Sequence, residues 1–160
     1  MSWSTRAFIK ASLAWLTVSV TLGVAVVFHP EWGTFAPAAA VAGLLGFVSM
    51  VLFGLMYHLL PRMAGRPLES DAVAEAHWWL ANVGLVLIMG GIVFEPLHFE
   101  LSSAMVLVGT GLSAAGGYTF VVNLWRTFTP ANAPTTDGER EGHEPVRPPR
   151  RVIARLSILR

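Results

Sequence analysis

At 160 residues the chain has the length of one domain. Only 13% of its residues are charged, against roughly 25% in soluble domains, and 54% are hydrophobic. Net charge is +1, and the lack of cysteine excludes disulfides, thiolate metal sites and cysteine nucleophiles.

The charges are also clustered. Between Lys10 and Arg126 the only basic residues are Arg62 and Arg66. Four stretches, 11–28, 36–60, 76–94 and 101–125, carry no Asp, Glu, Lys or Arg. Crossing a bilayer core takes about 20 apolar residues in a helix, and a backbone in lipid must satisfy its own hydrogen bonds. The expected fold is therefore all-α: an integral membrane four-helix bundle with short connectors, over residues 1–128.

The first stretch follows Arg6 and Lys10 and ends on Val26-Val27-Phe28-His29-Pro30, which is too bulky for a signal-peptide cleavage site. It reads as a retained helix. Each connector contains proline: Pro30 after the first stretch, Pro61 and Pro67 after the second, Pro96 after the third. Proline lacks a backbone donor and disfavours helix in the residue before it. Trp32, Trp78, Trp79 and Trp125 fall near span ends, where amphipathic rings favour the interface.

Arg6 and Lys10, then Arg62 and Arg66, then Arg126 and the later arginines all fall on one side of four crossings. The positive-inside rule makes that side cytoplasmic, with both termini there and the protein in the inner membrane. The bilayer is the first expected partner, followed by other membrane subunits or further copies of the chain. Nucleic acid is not expected.

Lipid provides little hydrophobic force between helices, so small residues must let backbones approach. Candidate contact lines are Gly109, Ser113 and Gly117 in the fourth helix. In the second they are Ala39, Gly43 and Phe47, and also Gly46, Met50 and Gly54. The third has the Gly90-Gly91 pair. Asn82 is expected to hydrogen-bond a neighbouring helix.

Two histidines, His58 and His77, lie near the inner ends of adjacent antiparallel helices. Facing imidazoles are standard axial ligands, which makes this pair the haem b candidate. Ordinary polar contacts near the head groups are the alternative. The outer connectors hold His29, Glu95 and His98, a ligand mix suited to zinc or copper, with a polar cap as the alternative. No phosphate loop and no acidic pair within a span is present, which speaks against a single-chain pump.

From Thr129 the composition turns to Pro, Thr, Glu, Arg and Gly, read as a disordered cytoplasmic tail over 129–160. Its end, 150–160, places Val152, Leu156 and Leu159 on one helical face with Arg151 and Arg155 off it. That is the pattern of a short basic amphipathic helix resting on an anionic leaflet or on a partner.

The run from Gly46 through Gly54 and Tyr57 to Pro61-Arg62, with His77-Trp78-Trp79-Leu80-Ala81-Asn82-Val83-Gly84, resembles haem-copper oxidase subunit I, nearest the cbb-type oxidases and nitric oxide reductases. The likeness covers about residues 6–128. In that family the second helix opens with a His-x-His pair that supplies a low-spin haem ligand. Registered on Gly46 and Pro61, the resemblance puts Ala39 and Val41 at those positions. The family's catalytic haem-copper centre draws its ligands from later helices, outside the likeness. The resemblance therefore implies a subunit I-like membrane protein without its own redox centre, an accessory component of a respiratory complex with no catalytic residue of its own. A haem b electron-transfer or sensor protein is the alternative.

Overall fold

The computed structural model describes residues 3–65, 67–97 and 100–129. Among these there is no strand. Four helices are long and apolar enough to cross a membrane: α1 (Trp3–Phe28), α2 (Pro30–Ala64), α3 (Asp71–Phe94) and α4 (Ser102–Phe128). The all-α membrane bundle expected from hydropathy is what forms. The tail and its amphipathic end lie outside the described residues.

At the basic end the helices run past the apolar segments. The first helix begins at Trp3, and the second continues through Pro61 to Ala64. Helical hydrogen bonding does not stop where lipid does, so hydropathy alone marks these ends too short. Gly65 closes the second helix at φ 65°, the left-handed conformation that favours glycine, with its N–H on Arg62 O at 3.2 Å. Ser70 caps the third, its Oγ accepting from Val73 N at 3.3 Å, and Asp71 follows in the first turn, where the helix dipole favours it.

The second helix is not uniform. A 3-10 turn (Pro30–Phe35) leads into α-helix (Ala36–Val41), then a π-helical stretch (Ala42–Val48), then α-helix again (Ser49–Ala64). Its buried line explains the irregularity. Ala38, Ala42, Gly46, Met50 and Gly54 are all buried at strict four-residue spacing. In a regular α-helix each four-residue step overshoots a full turn by about 40°. The wider π turn brings the line back to one face. That face meets α1: a Cβ on Gly46 would lie 2.5 Å from Trp15 Cβ, and one on Gly54 3.2 Å from Phe8 Cβ. Ser19 Oγ donates to Ala39 O at 2.8 Å on the flank of the same contact. The line Gly46, Met50, Gly54 is thus a true interface, whereas Ala39, Gly43 and Phe47 are its half-buried margin.

The closest pairings are α1 with α2 and α3 with α4. In the latter, backbone meets backbone. A Cβ on Gly84 would fall 2.7 Å from Gly109 O, and one on Gly91 2.6 Å from Ser102 O. The stripe expected on α4 needs one correction. Gly109 and Ser113 face α3, but nothing lies within 4 Å of a Cβ on Gly117. The contact continues instead through buried Gly116, because the stripe steps by four and then by three, as a 3.6-residue period requires.

Between the two hairpins, Trp15 Nε1 donates to Asn82 Oδ1 at 3.1 Å, while Asn82 Nδ2 donates to Trp78 O at 2.8 Å. This is the interhelical role expected of Asn82. Removing such a bond in membrane proteins costs about 0.6 kcal/mol on average. Asn82→Leu is expected to destabilise by about that much, and Trp15→Phe is expected to add little in the Asn82→Leu background. A double-mutant cycle of unfolding in detergent checks this. Full additivity of the two changes would contradict the bond.

Candidate functional site

The bundle's polar centre lies toward the basic end, where all four helices meet around His77. This imidazole is fully buried. It contacts Phe8 of α1 (centroids 4.9 Å apart), Phe53 of α2 (4.6 Å) and Phe120 of α4 (5.5 Å). Gly116 makes room for it, since a Cβ there would lie 3.2 Å from His77 Cδ2.

Tyr57, only 3% exposed, has its hydroxyl 3.1 Å from His77 Nδ1. The Asn123 side chain lies beside the same hydroxyl, and its Oδ1 accepts no hydrogen bond. Asn123 Nδ2 donates to Ser70 O at 2.9 Å, Thr127 Oγ1 donates to Asn123 O at 2.9 Å, and Glu69 N donates to Thr127 Oγ1 at 3.2 Å. The α2–α3 connector is thereby tied to the end of α4, which holds the His77–Tyr57 pair in place.

Two atoms of this centre are buried without a partner: His77 Nε2 and Asn123 Oδ1. One tautomer lowers that cost. With the proton on Nδ1, His77 donates to the Tyr57 oxygen 3.1 Å away. What stays unpaired is then a lone pair on Nε2 rather than an N–H, and a buried unpaired acceptor is the more tolerable of the two.

The structure does not join His58 to His77. His58 is half-buried and lines a depression with Tyr57, Pro61, Arg62, Pro67, Leu68 and Asp71. No hydrogen bond or ring contact involves it among the described residues. Adjacent in sequence to Tyr57, it points about 100° away from it around the helix. At the opposite end, His29 Nδ1 lies 3.1 Å from Glu31 Oε1, both side chains exposed, and the imidazole stacks on Trp32 at 5.0 Å. Glu95 lies in a 3-10 turn (Glu95–Leu97) and borders a groove with Gly91, Ser102 and Val106. His98 lies outside the described residues. Among the described residues no group of three metal-ligating side chains converges.

The residues around His77 are packed against it. Four aromatic side chains, Phe8, Phe53, Tyr57 and Phe120, lie against its imidazole. Ala39 and Val41, at the register of the resembled His-x-His pair, offer only apolar side chains. Sequence reasoning missed Tyr57 as a member of the site. A signal was available: Tyr57 continues the buried line Ala38 to Gly54 by one further turn.

These features define a four-span helical membrane protein with a buried His–Tyr–Asn centre. The chain is similar, over part of its length, to cytochrome c oxidase subunit I. It is 30% identical over 115 residues to the cbb3-type cytochrome c oxidase subunit CcoN1 of Stutzerimonas stutzeri, covering 56% of this chain and 24% of that protein. It is 32% identical over 111 residues to cytochrome c oxidase subunit 1 of Rhodobacter capsulatus, covering 54% of this chain and 21% of that protein. The chain thus spans about a quarter or less of the length of these curated relatives. No family model matches it.

Proposed function

We propose that this oxidase-subunit-I-like membrane protein is an accessory component of a respiratory membrane complex and carries no redox centre of its own. It would reside in the inner membrane with both ends cytoplasmic, among other subunits or copies of itself. The observation that supports this most is the state of His77, the fully buried histidine among the described residues. It is engaged by Tyr57 and enclosed by Phe8, Phe53 and Phe120. The apolar side chains of Ala39 and Val41 agree with this reading. So does the basic end formed by Arg6, Lys10, Arg62 and Arg126, which suits a cytoplasmic face.

One observation favours a second reading. His77 Nε2 is buried without a partner, as a ligating nitrogen would be before its group arrives. A haem b protein built on it requires the rings to open and a second axial ligand, with His58 the candidate. Absorbance of the full chain, purified after expression with ample haem, separates the two. The accessory reading expects no reduced-minus-oxidised b-type spectrum, with membrane subunits co-eluting in mild detergent. A stoichiometric b-type spectrum that disappears in His77→Ala would defeat it. Zinc or copper retained by wild type and lost in His29→Ala would establish instead the metal site considered at His29, Glu95 and His98.

A further inference from the structure

We propose that the cleft between the first turns of α1 and the Trp78 indole binds the phosphate headgroup of an anionic membrane lipid. The cleft has a volume of about 560 Å³ and is lined by Trp3, Arg6, Ala7, Lys10, Ala11 and Trp78. Arg6 and Lys10 stand one turn apart, so a guanidinium and an ammonium share one face of α1. Both are exposed, and neither is in an ion pair among the described residues. The nearest acidic residues of α3, Asp71 and Glu75, are exposed and are not in ion pairs with them either. The Trp78 side chain lines the cleft, and its buried indole N–H has no acceptor among the described residues. Two unpaired cations on one helix face are the complement of a phosphodiester.

Depth argues for lipid over soluble phosphate. Lys10 is the last charge before the apolar run of α1. Trp3 and Trp78 meet edge-on at 6.0 Å, which brings the start of α1 level with a point about two turns into α3 and forms a tryptophan pair suited to the headgroup layer. Beyond the cations, Ala7, Ala11 and Ala14 follow one line up α1. Ala7 and Ala11 form the apolar part of the cleft wall, a shallow groove where the start of an acyl chain can lie. A free phosphate would use the cations and leave the groove empty.

Native mass spectrometry of the full chain in mild detergent tests this. It is titrated with phosphatidylglycerol, with phosphatidylcholine of the same chains, and with inorganic phosphate. One phosphatidylglycerol is expected to bind in preference to phosphatidylcholine, and inorganic phosphate is expected not to displace it. Each cation near an anionic headgroup contributes about a factor of five, so Arg6→Ala with Lys10→Ala should weaken binding about 25-fold. Arg126→Ala, at the same end on α4, should change it less than about twofold, and the charge-keeping Arg6→Lys with Lys10→Arg should retain most of it. Wild-type affinity in the double alanine variant, equal binding of the two lipids, or displacement by inorganic phosphate would each overturn the proposal. Should circular dichroism show the double alanine variant unfolded, wild type in high salt decides: binding that falls steeply supports the site, and binding indifferent to salt overturns it.

Discussion

Gly84→Ala is expected to lower the stability of the bundle by about 2–3 kcal/mol, although it adds a single methyl group. At this position the new carbon would meet Ser113 Oγ at 2.5 Å, Gly109 O at 2.7 Å and Ser113 N at 2.8 Å. Two of these are backbone atoms and cannot swing aside, so α3 and α4 must move apart. Gly109→Ala makes the reciprocal clash, 2.5 Å from Gly84 O and 2.8 Å from Ile88 N. The two changes separate the same pair of backbones, so their combined effect should be well below their sum. Gly111→Ala and Gly117→Ala are the contrasting case on the same helix. Nothing lies within 4 Å of a Cβ at either place. There alanine brings only its better helix propensity, up to about 1 kcal/mol in its favour. Unfolding in a denaturing detergent, followed by far-ultraviolet circular dichroism, reads all four. Equal losses at Gly84 and Gly117 would mean that the interface is not where the structure places it.

The four spans and their order were legible because hydropathy and charge are properties of composition. Helix contacts were legible only in part. The Gly46, Met50, Gly54 line and the Gly109, Ser113 line could be read from small residues one turn apart. Whether the next contact fell at Gly116 or Gly117 depends on where a 3.6-residue period rounds, which a four-residue motif cannot tell. The π turn over Ala42–Val48 was invisible to periodicity applied as a fixed 3.6, yet it was latent in the strict fours from Ala38 to Gly54. The site was the least legible part. Sequence position placed His77 near the interface, because its helix's apolar segment begins beside it. Which way it faces was not legible: the helix starts at Asp71 and turns His77 toward the bundle centre, against rings from three other helices. Partners such as Phe8, Phe120 and Asn123 are far apart in sequence, and no local pattern reports them.

Tyr57→Phe is the most informative change at that centre. It keeps the ring but removes the hydroxyl that lies 3.1 Å from His77 Nδ1 and beside Asn123. A buried polar group left without its partner costs about 1–3 kcal/mol, so Tyr57→Phe should cost about 2 kcal/mol. His77→Phe removes one orphan, Nε2, together with the pair, and leaves the Tyr57 hydroxyl beside the Asn123 side chain. Its cost should be smaller, set mainly by the fit of a six-membered ring beside Gly116. Combining the two removes both ends of the bond at once, and the double variant should be less destabilised than the sum of the singles by about 1 kcal/mol or more. An additive cycle would sink the pairing. The tautomer has its own readout. With the proton on Nδ1, nitrogen-15 NMR of the wild type should find Nε2 unprotonated, and Tyr57→Phe should disturb that preference. A protonated Nε2 in the wild type would instead bury an unpaired N–H among Phe8, Phe53 and Phe120, and the Nδ1-protonated tautomer would have to be abandoned.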